Sequence, residues 1–175
     1  MRTMEVHPYD HAWPLVYREE SERLCAVLGE EIVRIHHIGS TSVPELAAKP
    51  VIDICLEVQS VERLDLLDED MRSLGYDPRG ENGIPGRRFY AKGGDERTHH
   101  VHAFDAGNPL VRDHLVFRDY LRASPAEREA YGRLKTRVSE THRTDPEGYV
   151  AAKAEFVQAL LDRARDWSER FDSRA

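Results

Sequence analysis

The sequence predicts an α/β (α+β) fold in which sheet-forming segments fill the first two thirds of the chain and a helical flank completes it. Three observations predict this. β-branched runs over Glu31 to Ile38, Val51 to Val58 and Thr98 to Phe104 alternate with stripes of helical period. Past Gly107 only helical stripes remain, each opened by a proline-containing start signal. The 175 residues are 40% hydrophobic and 33% charged, a balance suited to one globular domain with a substantial core. We therefore expect a single domain over residues 1–175, with a core at about 6–107 and a helical flank at about 108–167.

Taken in order, Trp13, Val16, Tyr17, Leu24, Val27 and Leu28 share one helical face, with Pro14 in the first turn and Gly29 at the end. Glu31 to Ile38 reads as the first strand and Val51 to Val58 as the second. In the second, Ile52, Ile54, Leu56 and Val58 share a core face, which leaves Asp53, Cys55 and Glu57 on the other for chemistry. Ser60 can cap one helix with the stripe Val61, Leu64, Leu67, Met71 and Leu74, closed by Gly75. Turn signals at Asn82-Gly83 and Gly93-Gly94 around the run Arg87 to Lys92 suggest an antiparallel meander ending in the strand Thr98 to Phe104. There His100, His102 and Phe104 point one way, and His99, Val101 and Ala103 the other. Asn108-Pro109 starts a helix, Ser124 to Glu127 reads as a capping box starting a second, and Thr144 to Glu147 repeats that device before a last helix running through Ala164.

Composition narrows the function classes. No apolar run approaches the roughly 20 residues of a membrane span, and the first residues lack a signal-peptide core, so the expectation is a cytoplasmic protein with no membrane partner. Cys25 and Cys55 have no CxxC spacing and read as free buried thiols. A formal net charge of -7 disfavours bulk nucleic acid but permits a small phosphate-bearing ligand.

The stretch from Ile35 to Val58 concentrates the candidate chemistry. Gly39, Ser40, Thr41 and Ser42 could hold a phosphate through backbone N–H groups and hydroxyls, or form an ordinary loop. Asp53 lies in an otherwise apolar strand, where an unpaired carboxylate is expensive to bury; it calls for a metal, or for a partner such as Lys49 or an arginine of the Arg87 to Lys92 run. Five of the nine histidines, His36, His37, His99, His100 and His102, fall in two strands. With Asp53, two of them would make a site that suits a transition metal better than magnesium; locally hydrogen-bonded imidazoles are the plain alternative. Arg87, Arg88 and Lys92 either neutralise phosphate or protect a solvated edge strand. The five acidic residues between Glu62 and Asp70 read as a solvated face, and Tyr131 as core.

The run HHIGSTSVPELAAKPVIDI, with YDHAWPLVYREE, THHVHAF and GNPLVRDHLVFRDYLRASP, resembles the GrpB family of the nucleotidyltransferase superfamily, over about Val6 to Leu161. The resemblance implies a nucleotidyltransferase-like mixed sheet with helices and a C-terminal helical flank. It implies that Gly39 and Ser40, with Thr41, Ser42 and Lys49 beside them, hold the phosphates of a nucleoside triphosphate. Asp53 takes the first acidic metal position, whereas Cys55 stands at the second and His100 or His102 at the third. The implied function is a metal-dependent nucleotidyltransferase acting on a small-molecule acceptor, with Asp53, His100 and His102 as catalytic and metal residues and magnesium or a transition metal as cofactor. The alternative is a catalytically degenerate nucleotide- or coenzyme-binding module that assists a partner, as the fusion of such segments to dephospho-CoA kinase would suit. The acceptor, the base, the metal and the oligomeric state are not specified by the sequence.

Overall fold

The computed structural model describes residues 3–172, so residues 1–2 and 173–175 of the expected domain lie outside the described residues. Trp13–Leu28 forms α1, with Pro14 in its first turn, and the Gly29 N–H returns to the Cys25 carbonyl at its end. Its core face carries Trp13, Glu20, Leu24 and Leu28. Cys25 follows Leu24 around the helix by one position and is exposed, which corrects the expectation of a buried thiol there; Cys55 is buried. A 310 turn leads into β1 (Ile32–Ile38), and a second 310 turn, Ser40–Ser42, separates it from β2 (Ile52–Val58).

The single helix expected after Ser60 is two, α2 (Val61–Asp65) and α3 (Asp68–Ser73). Ser60 caps the first as expected. The break follows from the acidic run: Asp68, Glu69 and Asp70 fill the first turn of α3, where the helix dipole favours negative charge, and a continuous helix would place them mid-helix beside Asp65. The meander supplies β3 (Tyr76–Pro78), β4 (Arg88–Lys92) and β5 (His99–Asp105).

The five strands run in the order β1-β2-β5-β4-β3. Three neighbouring pairs are antiparallel and β2 runs parallel to β5, which makes the sheet mixed. Because β4 lies between β5 and β3, it is an interior strand, and the edge-strand reading of Arg87, Arg88 and Lys92 is corrected. Arg88 pairs with Asp65, and Lys92 with the buried Glu20.

One sheet face is core, as the alternation predicts. Ile52, Ile54, Leu56, Val58, Val101 and Ala103 pack with Leu24, Leu28, Val61, Leu64 and Met71 of the covering helices. The other face divides into two regions. Ile38, Cys55 and Phe104 are sealed by Val111 of α4 (Pro109–Ala123), so Cys55 belongs to core rather than to chemistry. Asp53, His100 and His102 share that face but line a cavity.

The helical flank continues with α5 (Pro125–Thr141), α6 (Pro146–Ala151) and α7 (Ala154–Asp172). The capping box at Ser124 does not form: its side chain makes no cap bond, and Glu127 instead binds Tyr120 and Arg163. At the next start the cap is Asp145 rather than Thr144, the first residue of the expected box; Asp145 accepts the Gly148 N–H at 2.9 Å. The last helix is broken after Ala151, where the Lys153 N–H turns back to the Val150 carbonyl in a tighter bond. Leu121, Tyr131 and Leu160 bury Val43 and Leu46, the residues that follow the Ser40–Ser42 turn, so the flank is fastened to the loop between β1 and β2. Among the described residues no helix is long and apolar enough to cross a membrane.

Candidate functional site

Parallel pairing of β2 with β5 sets Asp53 opposite His100 and Cys55 opposite His102, all on one face. His100 Nδ1 donates to Asp53 Oδ1 at 3.2 Å, and His102 Nε2 donates to the same oxygen at 3.4 Å. Burial alone would raise the Asp53 carboxyl, but the hydrogen bonds and charge of these two imidazoles outweigh it and hold the group well below the usual carboxylate range. One oxygen and two ring nitrogens lie within 4.8 Å of one another, a cluster that could hold a metal ion. Asp53 thus takes these hydrogen bonds from two imidazoles, where the sequence reading weighed Lys49 or an arginine.

Arg87 sets the tautomer of His102. Its guanidinium donates to the carbonyls of Glu81 and Asn82 and, at 3.4 Å, to His102 Nδ1. Arginine has no acceptor, so His102 Nδ1 must accept, which puts the ring proton on Nε2 facing Asp53. Behind it lies His114, 5.5 Å away between ring centroids. Burial and the neighbouring His102 lower the His114 imidazole to about 4, so it is neutral at ordinary pH.

Gly39 fits against Asp53 so closely that only glycine is accommodated. Its φ of 70° is in the left-handed region, and a Cβ there would stand 2.5 Å from Asp53 Oδ2. The following turn is held from two sides. Ser42 Oγ donates to the Gly39 carbonyl at 2.6 Å, and Arg122 donates to the Ser42 carbonyl at 2.7 Å. The turn's own bonds use the N–H groups of Ser42 and Val43, so those of Ser40 and Thr41 are not consumed by it.

These residues floor a cavity of about 520 Å³. Of the eight residues singled out in the sequence, Gly39, Ser40, Thr41, Lys49, Asp53, His100 and His102 line it together, whereas Ser42 is buried beneath the turn and does not. Three of the five clustered histidines lie elsewhere. His36 binds Glu57, His37 binds Thr41 and stacks on Tyr17, and His99 bonds to Thr98 on the opposite face. Cys55 is sealed in apolar surroundings with its thiol pushed up to about 12 by burial and by Glu57.

The roof is what the sequence reading missed. Tyr131 and Lys135 of α5, Tyr149 of α6 and Lys153 between α6 and α7 close the cavity from the flank, and Arg87 and Phe89 wall its side. Lys135 is 2% exposed, and its ammonium nitrogen has no hydrogen-bond partner. A signal did exist: Tyr131, Lys135 and Val138 occupy the buried stripe of α5 at helical spacing, and a lysine within an apolar stripe is out of place on a purely structural face.

The GrpB protein family model matches residues 3–163. The chain belongs to the GrpB family. A GrpB crystal structure from Enterococcus faecalis superposes with a TM-score of 0.89 at 39% identity, covering 93% of this chain and 99% of that one. The UPF0157 protein YqkA of Bacillus subtilis is 46% identical over 96% of this chain, which spans only 49% of YqkA. A dephospho-CoA kinase of Mycolicibacterium paratuberculosis is 29% identical over 93% of this chain and 46% of its own length. The GrpB segment therefore also stands as part of longer proteins.

Proposed function

We propose that this GrpB cavity binds a nucleotide together with one divalent metal ion, and that the protein is a nucleotidyltransferase-like enzyme acting on a small-molecule acceptor in the cytoplasm. The observation that carries this reading is the juxtaposition of the Asp53, His100 and His102 cluster with the Gly39–Ser40 backbone in one cavity. A site for two magnesium ions needs several hard oxygen ligands, and the donors here do not supply them. Two imidazoles and one carboxylate do fit a single transition-metal ion. Bound there, such an ion would polarise a phosphoryl oxygen. The remaining work falls to the chain itself. The Gly39–Ser40 backbone would orient the phosphate chain, and the Asp53 carboxylate would hold His100 and His102 toward the ion.

Titration calorimetry with zinc or manganese, with and without a nucleoside triphosphate, tests the proposal. Wild type should bind metal stoichiometrically and bind nucleotide more tightly with metal present; Asp53→Asn, still folded by circular dichroism, should lose both properties. Metal binding that survives Asp53→Asn would sink the assignment. The solitary carboxylate favours a second reading, a binding module without transfer activity that serves a partner, in line with the longer relatives. Pyrophosphate release from nucleoside triphosphates and a metabolite pool separates the two, since only the enzyme produces it.

A further inference from the structure

Lys135 is the group in this molecule least explained by folding alone. A lysine on a helix ordinarily extends its ammonium to water, yet this one is 2% exposed with its nitrogen unpartnered and lines the cavity. Two further lysines come to the same space from separate segments. Lys49 arrives from the loop before β2, and Lys153 from the break between α6 and α7. The three nitrogens sit over tyrosine rings: Lys135 is 4.5 Å from the Tyr131 centroid, and Lys153 and Lys49 are 4.6 and 4.9 Å from that of Tyr149. Three convergent amines with no carboxylate paired to Lys135 repel one another, an arrangement that an entering anion relieves.

We infer that Lys49, Lys135 and Lys153 form an anion subsite that takes the terminal phosphoryl groups of a di- or triphosphate, opposite the Asp53, His100 and His102 cluster. This rests on the reading of the cavity as a nucleotide site, and it assigns that site's charge neutralisation to lysines where the second acidic metal position is lost to Cys55. Burial, with repulsion from Lys153 and Lys49, holds the Lys135 amine well below its ordinary value against the pull of Asp53. Burial likewise lowers Lys153, with Asp53 opposing. Tyr131 and Tyr149 are both raised by burial and face the amines as neutral phenols. An entering anion opposes both effects on Lys135, burial and repulsion, and favours its charged form.

Titration calorimetry of inorganic tripolyphosphate into the full chain with chelator present tests this directly. Wild type should bind without metal. Lys135→Met, an apolar side chain of similar length suited to a buried position, should bind about tenfold more weakly. Lys153→Met serves the same purpose should Lys135→Met not fold. Tripolyphosphate that fails to bind, or that binds either folded variant as tightly as wild type, overturns the subsite. Asp53→Asn should retain metal-free tripolyphosphate binding while losing the metal, so failure of the metal reading and failure of this one are separate results. Adenosine triphosphate binding more tightly than tripolyphosphate assigns the anion to a nucleotide; equal affinity assigns it to free polyphosphate, and both uphold the lysine subsite.

Discussion

At Gly39 a single missing methyl group decides whether β1 can end against Asp53. Gly39→Ala combines a left-handed backbone with a clash at 2.5 Å and should cost on the order of 3 kcal/mol in urea unfolding. Gly80→Ala, at φ 55° with nothing within 4 Å, isolates the backbone contribution and should cost only about 1 kcal/mol. Arg87 offers the converse test. Its donation to His102 Nδ1 holds the ring proton on the nitrogen that a metal would need, so Arg87→Met should tighten zinc binding by about tenfold in competition with a chromophoric chelator, while unchanged affinity would deny Arg87 that role. Gly39 and Asp53 could be singled out in the sequence because a carboxylate inside an apolar strand stands out. Arg87 could not, because one more arginine in a charged chain gives no sign of which ring it will meet.

The elements show where local signals suffice. Ser60 caps as its position suggests, since a cap needs only a side chain and a backbone N–H three residues on, whereas Asp145 takes the role expected of Thr144, with Pro146 in the first turn after it. Ser124 fails because Glu127, its intended reciprocal partner, is drawn away by Arg163 of α7, a contact that joins residues 36 apart in sequence. The breaks after Asp65 and Ala151 were hidden for a similar reason: apolar stripes continue across both, and spacing alone reports one helix. The second break matters most, because it presents Lys153 to the cavity. Asp145→Ala removes the cap that begins α6 and should lower stability by about 1 kcal/mol. It should also weaken tripolyphosphate binding by releasing the turn that carries Lys153. Intact binding in that variant would show that α7 alone sets the lysine.

Across the whole molecule, burial leaves a pH signature. His37 is buried beneath the flank and its imidazole is lowered to about 4 by burial, with Asp53 opposing and Arg122 and Arg118 adding to the effect. Unfolded, it would bind a proton below its ordinary value of about 6.5. Between those values the unfolded chain holds more protons, so stability is fully present above the upper value and falls as pH drops toward the lower, by about 2 kcal/mol. Urea unfolding at neutral pH and at about pH 4.5 should show this loss, and His37→Phe, which keeps a ring against Tyr17, should reduce it, with His114, lowered to the same value by burial, supplying the part that remains. The sheet, its core face and the helical flank were legible because period and punctuation are local. The cavity was half legible: its floor lies in adjoining strands, whereas its roof depends on how α5 and α6 fold back over them. The floor carries one more consequence. The backbone that carries its three donors is fixed by the hydrogen-bonded ladder between β2 and β5, so the donors adjust to an ion by side-chain rotation and not by parting of the strands. An ion held there would be chosen by radius as well as by chemistry, with small ions of four to six ligands admitted and calcium, which asks for more and longer oxygen contacts, turned away.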